Sequence, residues 1–116
     1  MAETVTQLYD SARVTLDGSG NGTVVFGPQR PNTKWIVKGV SVQTSTTTLM
    51  PKANVYRGTV NPGTFITGTY DGGNDADNAL NETLWPGEYI SVRWTGGDPG
   101  AQATAAYRGD LITEAY

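Results

Sequence analysis

The residue types that most often carry reactive chemistry are histidine and cysteine, and neither occurs anywhere in the 116-residue sequence. Histidine is the commonest general acid–base group and the commonest metal ligand, so its absence removes both uses together. Without cysteine there is no thiolate nucleophile and no disulfide. A hydroxyl nucleophile would then need a carboxylate, a tyrosine or a lysine to take its proton. The lysines are Lys34, Lys38 and Lys52, and none follows a serine at the Ser-x-x-Lys spacing of a serine–lysine pair.

Carboxylates remain. A pair of them could hydrolyse a glycosidic bond, their separation and surroundings deciding which is acid and which is base. Of the 11 Asp and Glu residues, Asp17, Asp71, Asp75, Asp77 and Asp98 lie in glycine-rich turns. A solvated turn carboxylate keeps its ordinary acidity, whereas an acid catalyst needs burial to raise its own. Glu88, which leads into an apolar strand, is the best single candidate. The expectation is a protein that is not an enzyme and uses no cofactor.

Oxygen ligands for calcium are suggested by Asp71-Gly72-Gly73-Asn74-Asp75-Ala76-Asp77-Asn78, with Glu82 at the twelfth position counted from Asp71. The spacing departs from an EF-hand, because Gly73 holds the third position, Ala76 the sixth, and no helical pattern flanks the loop. Turn chemistry explains Gly, Asn and Asp there without a metal. A plain loop is expected.

The formal net charge is -3, and the 8 Lys and Arg residues are scattered from Arg13 to Arg108. Phosphate recognition needs a basic stripe, so no nucleic-acid partner is expected. The N-terminus is polar and carries Glu3, and no apolar run reaches the length of a signal-peptide core or a membrane span. Synthesis in the cytoplasm without an export signal, and no membrane association, follow as expectations. Asn21-Gly22-Thr23 and Asn81-Glu82-Thr83 match the glycosylation sequon and are read as chance matches.

The elements that would position any site are strands. Fifteen glycines and 6 prolines separate runs rich in Val, Ile, Thr, Tyr and Trp, which predicts an antiparallel β-sandwich of about 7–8 strands. Residues 1–11 form an N-terminal arm and residues 12–116 the sandwich domain. Within the arm, residues 3–11 fit either a short helix, with Val5, Leu8 and Tyr9 on one side, or an extended segment. Residues 12–16 and 23–26 alternate around a loop ending in Asn21-Gly22, which predicts a hairpin.

Residues 34–44 read as a long strand with a phase change. Trp35 and Val37 share one phase while Val40 and Val42 share the other, so either an extra residue near Lys38-Gly39 restores the register or the strand is covered on both sides. Strands follow at residues 53–57 and 64–70, with residues 71–81 irregular. Residues 88–94 alternate most clearly, Ile90, Val92 and Trp94 facing inward, and residues 103–108 are expected to pair back across the Gly-rich turn at 95–100. Residues 111–115 add a last strand.

Of the 3 tryptophans, Trp94 and Trp35 read as core and Trp85 as exposed in a loop. A lone exposed ring is a weak platform for a sugar. The echo of Val55-Tyr56-Arg57-Gly58 in Ala106-Tyr107-Arg108-Gly109 reads as a coincidence of two strand ends.

Several motifs together carry a resemblance. They are Gly20-Asn-Gly-Thr-Val-Val-Phe-Gly-Pro28, Trp35-Ile-Val-Lys-Gly-Val-Ser-Val-Gln-Thr44, Ala53-Asn-Val-Tyr-Arg-Gly58, Gly68-Thr-Tyr-Asp-Gly-Gly-Asn-Asp75, Leu84-Trp-Pro-Gly-Glu-Tyr-Ile90 and Trp94-Thr-Gly-Gly-Asp-Pro-Gly-Ala101. Over residues 14–109 the pattern resembles small virion proteins of tailed bacteriophages of actinobacteria. The resemblance implies a jelly-roll-like sandwich serving as a capsid decoration (cement) protein, a head fibre or a minor tail protein. It implies no catalytic residue. The partners it implies are the major capsid protein and copies of the chain itself, a trimer being one closed arrangement. The location implied is the virion. The apolar residues outside the repeating strands, Val5, Leu8 and Tyr9 at one end and Leu111, Ile112 and Tyr116 at the other, are the expected contacts. A tail protein recognising cell-surface glycan and a carbohydrate-binding module are the alternatives.

Overall fold

The computed structural model describes residues 2–71, 74–77 and 79–115. The strands are β1 (Ala2–Thr15), β2 (Gly22–Phe26), β3 (Thr33–Thr44), β4 (Lys52–Arg57), β5 (Phe65–Asp71), β6 (Asn74–Asp77), β7 (Glu82–Leu84), β8 (Ile90–Thr95) and β9 (Gln102–Ala115). A 3-10 turn, Pro62–Thr64, lies between β4 and β5. The all-β expectation holds.

Two sheets form, in the orders β1-β9-β3-β6, with β7 also on β3, and β2-β8-β4-β5. The chain behaves as one antiparallel ribbon folded at β4 and β5: β1 pairs with β9, β2 with β8, β3 with β6 and β7, and β4 with β5. Curling that ribbon brings β9 against β3 and β8 against β4, each antiparallel. This is jelly-roll connectivity. β6 faces Val40 to Gln43 and β7 faces Trp35 to Val37, so the two are segments of one interrupted strand along β3.

The interruption has a local cause. The register of β3 against β9 slips between Val37 and Gly39, leaving Lys38 as the extra residue. Beside that bulge the Leu80 N–H donates to the Lys38 carbonyl at 3.1 Å, between the two short strands. The bulge puts Val37, Val40 and Val42 all inside, as their change of phase predicts. Opposite it, Gly109 comes so close to β3 that a Cβ there would lie 1.8 Å from the Ile36 carbonyl oxygen.

The core lies between the sheets. Val24, Phe26, Ala53, Val55, Ile90, Val92 and Trp94 face Val37, Val40, Val42, Leu84, Ala103, Ala105 and Tyr107, and all are buried. Each large aliphatic side chain so buried contributes about 1.5–3 kcal/mol relative to exposure. Trp35 is only partly buried, packed at the margin of this cluster.

The structure corrects the sequence reading in several places. The predicted hairpin of residues 12–16 with 23–26 does not form, because β1 and β2 belong to different sheets. The same holds for β8 and β9. Both connections cross from one sheet to the other, and they are laced together: Gly97 N–H donates to the Gly20 carbonyl at 2.9 Å and Gly96 N–H to Asn21 Oδ1 at 3.1 Å. Gly20 has φ 75° and sits where any Cβ would collide with Gly97. The N-terminal segment is extended, the second of its two readings, and not helical. It is β1, paired residue for residue with β9 from Ala2↔Ala115 to Thr15↔Gln102, and it crosses position 11 without a break. The irregular stretch expected at 71–81 contains β6 and leads into β7. Residues 111–115 are the end of β9 and not a separate strand.

Candidate interaction surface

β1, β3 and β9 are longer than any strand of the opposite sheet, and the molecule is correspondingly elongated, 52 × 26 × 22 Å. Period-2 alternation along β1 sends Leu8 inward, where it is 6% exposed, and Val5 and Tyr9 outward, where they are 58% and 71% exposed. Opposite residues of an antiparallel pair share a face. Val5 therefore stands beside Ile112 of β9, and Ile112 beside Lys34 of β3. The Lys34 ammonium in turn lies 4.8 Å from the ring centroid of Trp85, which follows β7 and is 49% exposed. Val5, Ile112, Lys34 and Trp85 thus form one band across the outer face of this sheet.

The expected contact residues divide accordingly. Val5 and Tyr9 are exposed. Leu8 belongs to the core cluster, and Ile112, 6% exposed, is buried on the outer side of the sheet and apart from that cluster. Leu111 points to the other face of the sheet, opposite Trp35 in register, and is half-buried. Tyr116 lies outside the described residues.

Beside Trp85 a cleft of about 170 Å³ is lined by Asn32, Thr33, Lys34, Trp85, Pro86 and Glu114. Asn32 adopts φ 62°, and its carbonyl accepts the Glu114 N–H at 2.8 Å. Asparagine tolerates this left-handed conformation better than most residues. Trp85 was legible from the sequence, but Lys34 as its cationic neighbour was not, since only the β3–β7 pairing brings them together.

A second apolar patch lies on the outer face of the other sheet. Phe65 and Tyr56 meet edge to face, 5.8 Å apart at 72°, and with Val60, Asn61 and Pro62 they line a shallow depression of about 520 Å³. Val25 is exposed on the same face. The alternation of β2, with Val24 and Phe26 inside, was the available signal for Val25.

The candidate acid Glu88 is a brace. Its Oε1 accepts the Trp85 N–H at 2.8 Å and the Arg57 Nη2 at 3.2 Å, while Arg57 Nη1 lies 3.7 Å from Glu82. Glu82, the twelfth position of the supposed calcium loop, is thereby directed to Arg57. Gly72, Gly73 and Asn78 of that loop lie outside the described residues, among which no group of three or more Asp or Glu could hold a metal ion. Asp17 and Asp98 are turn caps. The Asn21 N–H, then the Ser19 N–H, holds the Asp17 carboxyl below its ordinary 3.8. For Asp98 the Thr46 hydroxyl contributes most to the same lowering, followed by the N–H groups of Leu49 and Thr48.

No helix among the described residues is long and apolar enough to cross a membrane. No protein-family profile and no curated protein matches the sequence. Among solved structures, one of infectious bursal disease virus, Gx strain, aligns over 96% of this chain at 15% identity and a TM-score of 0.33. The chain spans 31% of the length of that viral chain. Similarity at that level assigns no family.

Proposed function

We propose that this jelly roll is a non-catalytic structural protein of a virion, a decoration protein seated on the outer surface of a capsid shell with the major capsid protein as its partner. The observation that carries the reading is the outer face on which Val5 and Tyr9 of β1 and the Lys34–Trp85 pair are exposed over the buried Ile112. It offers a partner apolar and cationic character on the outer face of one sheet. The motif resemblance to phage virion proteins supports the same reading. A protein that binds the assembled shell and not its free subunits shifts the assembly equilibrium toward the shell. Shells prepared without this chain should bind it on addition and disassemble at a higher temperature. Trp85→Ala and Val5→Asp should weaken that binding. Failure of the wild-type chain to bind shells, or its presence at a handful of copies per particle, would count against decoration.

The cleft beside Trp85 favours a second reading, recognition of a cell-surface glycan by a tail protein or a carbohydrate-binding module. An aromatic face flanked by an amide, an ammonium and a carboxylate suits a sugar ring with its hydroxyls. Binding on a glycan array that disappears in Trp85→Ala, with no affinity for shells, would select it.

A further inference from the structure

β1 is an edge strand with one partner: its inner side is paired with β9 along its whole length, and among the described residues nothing pairs with the other side. Long free edges are normally blunted by proline, lysine or a bulge, since they offer a row of unpaired N–H and C=O groups to any other strand. β1 contains no proline or lysine, and its register with β9 shows no shift. The other edges are poorer templates. β2 is 5 residues long, β6 and β7 are 4 and 3, and β5 is irregular against β4.

We infer that β1 is the docking edge for β1 of a second copy of this chain, joined antiparallel about a two-fold axis with Leu8 facing the partner's Leu8. Such an axis stands perpendicular to the sheet, so like faces align and only residues of equal parity can oppose each other. Charge then selects the register. Glu3, Asp10 and Arg13 are the charged residues of β1, and Glu3 and Arg13 make no ion pair within the chain among the described residues. With Leu8 on the axis, Glu3 faces the partner's Arg13 and Arg13 faces the partner's Glu3, both on the outer face. Asp10 faces the partner's Thr6. No other parity-matched register sets an acid opposite a base. Centring on Asp10, Glu3 or Arg13 sets like charges together, which destabilises a strand pair. The favoured register also overlaps residues 2–14 of both strands, close to the full length of β1. The two sheets become one continuous sheet, and Val5 and Tyr9 of both copies share a single outer face.

This inference does not depend on the virion reading, and its test needs only the purified chain. Sedimentation velocity and light scattering should show a dimer at concentrations of about 10–100 µM. Glu3→Arg and Arg13→Glu should each weaken dimerisation about tenfold or more, and the double variant should restore it. Both side chains are exposed, so circular dichroism should show the wild-type fold in every variant. A chain that stays monomeric to about 1 mM, a dimer indifferent to the single substitutions, or a double variant no tighter than the singles would each overturn it. Any of those results leaves shell binding free to succeed or fail separately.

Discussion

The ring of Phe26 lies flat on that of Tyr107, centroids 4.0 Å apart and planes 9° from parallel. Phe26 belongs to β2 and Tyr107 to β9, so the stack joins the two sheets across the core. Trp35 extends it on the β9 side, 5.5 Å from Tyr107 at 23°. Aromatic pairs of this kind contribute about 0.5–1.5 kcal/mol beyond the area they bury.

Tyr107→Ala should therefore lower the unfolding free energy by about 3–5 kcal/mol, the usual loss for a buried aromatic, measured by chemical denaturation. Tyr107→Phe should cost little. The pH dependence separates the two roles of this tyrosine. Burial, and secondarily the Asp10 carboxylate, holds the phenol above its ordinary 10.0. The fold favours the protonated ring, so that contribution is intact below pH 10.0 and is lost as pH rises through the elevated value. A Tm series between about pH 8 and 11 should fall more steeply for the wild type than for Tyr107→Phe.

Gly109 tests the bulge. A methyl group there meets the Ile36 carbonyl oxygen at 1.8 Å and the Lys38 nitrogen at 3.0 Å, both backbone atoms, so β3 and β9 must separate to admit it. Gly109→Ala should cost about 2–4 kcal/mol. Gly58, at φ 88°, has nothing within 4 Å of the point a methyl group would occupy. As alanine it should cost about 1 kcal/mol, from backbone conformation alone. Equal losses at the two sites would contradict the close approach.

Asp98 ties the turn after β8 to the loop after β3, accepting the N–H groups of Thr48 at 2.9 Å and Leu49 at 2.8 Å. Its carboxyl is held below 3.8, so its stabilising effect is present above that pH and disappears as pH falls through the lower folded value. Asp98→Asn should melt lower than the wild type at neutral pH, and the gap should close in acid. A gap unchanged down to about pH 2 would refute this role.

Glu88 is exposed and braces Trp85 and Arg57. Exposed ion pairs contribute little, so Glu88→Gln should alter unfolding free energy by less than about 1 kcal/mol. Any hydrolytic activity of the purified chain that vanished in this variant would overturn the non-catalytic reading.

Much of the architecture was legible in the residues. Ile90, Val92 and Trp94 sit inside as their alternation requires, and the change of phase between Val37 and Val40 located the Lys38 bulge. Trp85 reads from the sequence as the partly exposed tryptophan, and it is half exposed.

The main strands, their alternating faces and the change of phase in β3 were visible in the chain's own order, because a strand's period of two is a local property of consecutive side chains, whereas β6, β7 and the unbroken run of β9 were not. Which strands meet was a matter for the tertiary structure. Two connections that read as hairpins, between β1 and β2 and between β8 and β9, pass from one sheet to the other. Alternation shows that one face is buried but not which strand lies beside it. The same limit explains why Leu8 and Ile112 are buried while Val5 stays in solvent, and why Lys34 meets Trp85. Those outcomes depend on pairings between residues far apart in the chain, and only the folding of the whole ribbon creates them.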